Sequence, residues 1–231
     1  MIYCWHPAKL KYGKKAENMF KVPICFVSIF LICIGLSFTS VGDTHINKVL
    51  SDLELNTKGL NSIQAKFVQK KKLALFTKDM TIEGMIYIRK PNSFAWHVYK
   101  PVQYGLVVKD SEVSQWNADT DKVKTISMKN NPAFNAIFDQ MNKWLSGSYK
   151  SLTDDYHVSV ISEKPLLLEF TPLKSAASYD FIANITLQFN KDLCYLDKIT
   201  ILEKNEDKTT LSFSDTKLNE QIPSTAWNAK N

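Results

Sequence analysis

Residues 83–98 read Glu83-Gly84-Met85-Ile86-Tyr87-Ile88-Arg89-Lys90-Pro91-Asn92-Ser93-Phe94-Ala95-Trp96-His97-Val98. Alternate positions are large and apolar on both sides of Pro91-Asn92: Ile86 and Ile88, with Ile82 upstream, and then Phe94, Trp96 and Val98. A period of two marks strands that send these side chains to one face. The connection between them is too short for a parallel crossover, which needs a dozen or more residues. The stretch is therefore an antiparallel hairpin with one apolar face that something must cover.

The same reading extends in both directions. Strand-type segments are predicted at 63–72, 80–89, 93–99, 104–110, 112–117 and 122–127, and again at 156–163, 165–172, 181–190, 193–202 and 209–217. Two amphipathic helices are predicted. In the first, Ile46, Val49, Leu50 and Leu53 follow a possible Thr44 cap, and Gly59 stands beyond the last turn. In the second, Asn131-Pro132 opens a run with Phe134, Ile137, Phe138, Met141, Trp144 and Leu145 at helical spacing, and Gly147 closes it. The expected fold is mainly β with α: a single strongly curved antiparallel sheet of about 11 strands, a half-barrel covered by a helical lid.

Of 231 residues, 45% are hydrophobic and 23% charged, which excludes a disordered or low-complexity chain. The net charge of +6 suggests nucleic acid until its location is considered. Residues 1–42 hold five lysines and one acid, so four of the six net charges lie there and two remain for the rest. That remainder gives no reason to expect nucleic-acid binding.

Residues 22–38, VPICFVSIFLICIGLSF, form an apolar run after Lys21 and before the small residues Thr39, Ser40 and Gly42. This is the pattern of a secretory signal peptide spanning 1–42, with a true start at Met19 and a domain spanning 43–231. A retained membrane anchor is the alternative. Cys4, Cys25 and Cys33 fall in the leader, so Cys194 alone would remain and no intramolecular disulfide could form. Cys194 itself reads as a small buried strand residue.

No phosphate loop, dinucleotide fingerprint, HExxH, GxSxG or CxxC motif is present. His45, His97 and His157 stand apart, and no cofactor or metal is expected. Asp154-Asp155 reads as a solvated loop. Lys70-Lys71-Lys72 reads either as a solvated strand end or as a contact for phosphates or anionic headgroups.

Phe67-Val68-Gln69, the stretch Glu83-Gly84 through Phe94-Ala95-Trp96, Pro101, Leu145-Ser146-Gly147, Leu168 through Pro172 and Leu211 through Asp215 together resemble the LolA outer-membrane lipoprotein carriers. The resemblance implies a periplasmic carrier without enzymatic activity. Its partners would be acylated lipoproteins, the inner-membrane LolCDE transporter and the outer-membrane receptor LolB, and it would act as a monomer. It also implies a lipid-binding cavity, for which Phe67, Ile86, Ile88, Phe94, Trp96, Phe138 and Met141 are the candidates. The residues alone leave an ordinary packed core open for the same group.

Lys90 occupies the slot where the family carries an arginine that ties sheet to lid, and Arg89 is the less favoured candidate for that latch. Asp110-Ser111-Glu112 replaces the family's Asp-Gly turn and suggests a different hairpin geometry. A LolA-like carrier of another envelope lipid or glycolipid is the alternative function. An amphiphile-binding hydrolase is a further one, for which no nucleophile and base can be assembled.

Overall fold

Eleven strands make one antiparallel sheet: β1 (Ser62–Lys72), β2 (Met80–Arg89), β3 (Ser93–Lys100), β4 (Tyr104–Lys109), β5 (Glu112–Asn117), β6 (Val123–Ser127), β7 (Tyr156–Glu163), β8 (Leu166–Pro172), β9 (Ile182–Phe189), β10 (Leu196–Glu203) and β11 (Lys208–Leu218). These come from a computed structural model that describes residues 41–75, 78–128, 142–145 and 147–230. The spatial order is β6-β5-β4-β3-β2-β1-β11-β10-β9-β8-β7. Two meanders thus join where the first strand pairs the last, with Phe67 opposite Phe213 and Gln69 opposite Leu211. The sheet is not closed, because β6 and β7 lie at its opposite edges.

Strand spacing of about 4.8 Å would put β4 and β10, five steps apart, about 24 Å from each other in a flat sheet. Side chains from both nevertheless line one cavity. The sheet is therefore strongly curled, as its strand pattern predicts.

Helix α1 (Val41–Thr57) begins before Thr44, which lies within the helix instead of capping it. Leu50 and Leu53 are fully buried against β7–β10, together with Tyr149 and Leu152. Gly59, beyond the last turn, does not take the left-handed conformation of a glycine C-cap. The helix ends instead through turn bonds, with the N–H groups of Lys58 and Leu60 donating to the carbonyls of Leu55 and Thr57.

Of the second predicted helix, residues 142–145 are helical, and its earlier part lies outside the described residues. Its end is as expected: Gly147 has φ +93°, and Ser148 N–H donates to Lys143 O at 3.1 Å, the six-to-one bond of a Schellman cap.

The outer face of the first meander is covered by a segment the sequence pattern did not reveal. Ile222, Ala226, Trp227 and Ala229 lie over Tyr87, Ala95, Val107 and Trp116. His97 Nε2–H donates to Ala226 O at 2.9 Å, and burial holds the imidazole below its usual pKa, so it stays neutral. A side chain at Gly105 would collide with the Ala229 carbonyl.

Two local expectations change. Asp110 (φ 53°) and Ser111 (φ 64°) are both left-handed between the paired residues Lys109 and Glu112. The hairpin is therefore an ordinary two-residue type I′ turn that holds serine where glycine fits best. Cys194 is not a strand residue. Asn190 Oδ1 accepts from the N–H groups of Cys194 (2.8 Å) and Tyr195 (3.1 Å), which holds a loop open until β10 starts at Leu196.

Candidate functional site

The wall of the site is an aromatic stack set by register. Phe67 pairs with Gly84 across β1 and β2, and Trp96 pairs with Ile86 across β2 and β3. A Cβ at Gly84 would lie 2.7 Å from the Phe67 ring and would strike the His97 carbonyl. The missing side chain lets Phe67 lie flat across the strand and stack on Trp96, with centroids 3.8 Å apart and planes inclined by 29°. Trp96 in turn lies 6.4 Å from Phe94, centroid to centroid. Three separated sequence motifs, FxQ, EG and FxW, thus converge on one structural unit.

Beyond this wall is a cavity of ≈ 320 Å³. Phe94, Trp96, Tyr104 and Leu106 bound it from β3 and β4, and Ile199, Ile201, Thr209 and Leu211 from β10 and β11. Trp144 and Leu145 close it from the helical segment, and Gln69 lies between the two meanders. Its size is at the low end of pockets that hold small molecules. The polar groups are few: Gln69, Thr209, and the Tyr104 phenol, which burial keeps protonated by raising its pKa. Among the described residues, the buried indole N–H of Trp144 has no acceptor. Such a surface is chemically suited to hydrocarbon, and among the described residues no three His, Cys, Asp or Glu side chains gather as metal ligands would.

Of the residues singled out from sequence, Phe94 and Trp96 line this cavity. Phe67 is buried behind Trp96, at 1% exposure. Ile86 and Ile88 line a separate pocket of ≈ 20 Å³ with Ile63, Ala65 and Phe213. Phe138 and Met141 lie outside the described residues. Sequence reasoning missed Tyr104, Leu106, Ile199, Ile201 and Leu211. Strand parity marks all five as members of one face, but nothing local shows that β4 and β10 meet.

Lys90 and Arg89 part company at the end of β2. Lys90 Nζ donates to the Thr57 carbonyl at 3.4 Å, and burial lowers its pKa. Thr57 also abuts Gly147, where any Cβ would run into the Thr57 hydroxyl. Sheet, α1 and the end of the 142–145 helix therefore meet at Thr57. Arg89 stacks its guanidinium over Trp227 at 4.6 Å, on the outer face.

The family model for the outer membrane lipoprotein carrier protein LolA matches residues 58–230. An outer-membrane lipoprotein carrier protein of Coxiella burnetii is 22% identical over 227 residues, covering 92% of this chain and 95% of that one. Another, from Helicobacter pylori, is 27% identical over 141 residues, 60% of this chain and 75% of its own length. A solved LolA superfamily protein from Nitrosomonas europaea covers 80% of this chain and 97% of that chain, at 12% identity and a TM-score of 0.41. With three-quarters of its length matched by one family model, the chain belongs to the LolA family of outer membrane lipoprotein carrier proteins.

Proposed function

We propose that the protein is a periplasmic carrier that hides the acyl chains of lipoproteins in the ≈ 320 Å³ cavity while they cross between membranes. The observation that carries this reading is that cavity, walled almost wholly by apolar side chains from both meanders and by Trp144 and Leu145. Burying hydrocarbon yields about 0.8 kcal/mol per CH₂, so exposing one long acyl chain to water costs on the order of 10 kcal/mol. A dry concavity removes that barrier without bond chemistry, and the role needs no enzyme. On this reading the apolar leader directs export and is cut after Gly42, cargo arrives from LolCDE and leaves to LolB, and the carrier works as a monomer.

Native mass spectrometry of exported protein, purified without detergent, tests the reading. A bound acylated protein supports it, free lipid redirects it to another envelope lipid, and turnover of an ester substrate overturns it. The Lys90 contact at Thr57 supports a role as sheet-to-lid latch. Lys90→Leu is expected to speed or slow cargo transfer to an acceptor severalfold while stability changes by under about 1 kcal/mol. An unchanged transfer rate refutes the latch.

A further inference from the structure

The face of the sheet behind the cavity carries a second concavity. Along β1 the pleat sends Gln69 into the apolar cavity and Lys70 and Lys72 to the opposite side, while Lys71 meets Glu203 at 3.0 Å. Lys70 and Lys72 line a pocket of ≈ 370 Å³ together with Lys198 of β10, Lys208 of β11 and the hydroxyls of Thr210 and Ser212. Asp79 is the one acid in its wall, against four ammonium groups. Among the described residues none of these four lysines forms an ion pair. Four like charges around one hollow repel one another until an anion enters, and ammonium and hydroxyl donors together suit phosphate oxygens.

A second observation lies at the same end of the sheet. Leu75, in the connection between β1 and β2, is 93% exposed, and Met80 at the start of β2 is 60% exposed. Apolar side chains held in water beside a basic pocket match a bilayer surface, where anionic headgroups draw the cations and the interface accepts the hydrocarbon.

We propose that this end of the sheet docks on a bilayer of anionic phospholipid, with the four-lysine pocket around headgroup phosphate and Leu75 and Met80 in the interface. Gln69, Ile201 and Thr209, all lining the cavity, lie one to three residues from the ends of the same strands, so docking brings the cavity beside the membrane. The docking surface stands on its own observations, whatever the cavity holds.

Co-sedimentation of the exported protein with vesicles tests it, comparing phosphatidylcholine alone with an equimolar mixture of phosphatidylcholine and phosphatidylglycerol. Binding to the mixed vesicles is expected to be at least about tenfold tighter at low salt and to weaken as salt is added. The fourfold variant Lys70→Gln/Lys72→Gln/Lys198→Gln/Lys208→Gln is expected to bring the two vesicle types within about twofold, with an unchanged melting temperature as proof of folding. If that variant does not fold, Lys70→Gln/Lys72→Gln alone is expected to lose about threefold or more. Leu75→Ser is expected to weaken binding while leaving the preference for phosphatidylglycerol. Equal binding to both vesicles, or a preference that survives loss of the lysines, overturns the proposal.

Discussion

The two meanders present the same face of one sheet, yet among the described residues the outer strands of one are closely packed by the chain while β3 and β4 of the other border a cavity. Over β7–β10, Leu50 and Leu53 of α1 join Tyr149 and Leu152, all at most 1% exposed, and burial pushes the Tyr149 phenol far above its usual pKa. Over β3 and β4, Phe94, Trp96, Tyr104 and Leu106 look into the ≈ 320 Å³ cavity. The strand patterns of the two regions are alike. What differs is how completely the described side chains pack: Leu50, Leu53, Tyr149 and Leu152 fill one half, whereas Trp144 and Leu145 leave a cavity over the other.

The largest expected effect strikes where the two uses touch. Gly84→Val would drive a side chain into the His97 carbonyl and the Phe67 ring. A loss of about 4 kcal/mol or more is expected, read as the urea midpoint, because both backbone and core must move. Next comes Leu53→Ala in the filled half, expected to cost about 3 kcal/mol by leaving a hole that α1 cannot close. A cost below about 1 kcal/mol would mean that this half is as loosely filled as the other. Leu106→Ser, in the unfilled half, is expected to reverse the balance. Stability falls by under about 1 kcal/mol, while a fluorescent acyl-chain probe binds about tenfold more weakly. Equal probe binding would remove Leu106 from the site. The smallest effect lies away from both packed faces: Ser111→Gly in the type I′ turn between β4 and β5 relieves a left-handed serine and is expected to add about 1 kcal/mol to thermal stability.

Much of the fold was legible because the pleat writes itself into sequence. Ile86 and Ile88, then Phe94 and Trp96, alternate so regularly that their strands and common face needed no further information. The β1–β11 pairing is different, since its register lies in two segments over a hundred residues apart and neither carries a local sign of the other. The cavity inherits that limit: Ile199 and Ile201 read as core until β10 is known to curl toward β4. The outer cover was hidden for another reason. Ile222, Ala226 and Ala229 do stand at helical spacing, but Pro223 interrupts the run and only a short 3-10 turn forms at Ser224–Trp227, so their burial comes from meeting a surface already built.

The joining of the first strand to the last also sets an order in time. As the chain is made, β1 has one neighbour, β2, and its other edge stays unpaired until Lys208–Leu218 exists. Pairing across such a sequence separation pays loop entropy before it gains contacts, so the centre of the sheet closes late and slowly. That delay keeps the β1–β11 seam, and with it the wall that both meanders share, from forming before Lys208–Leu218 has been synthesised.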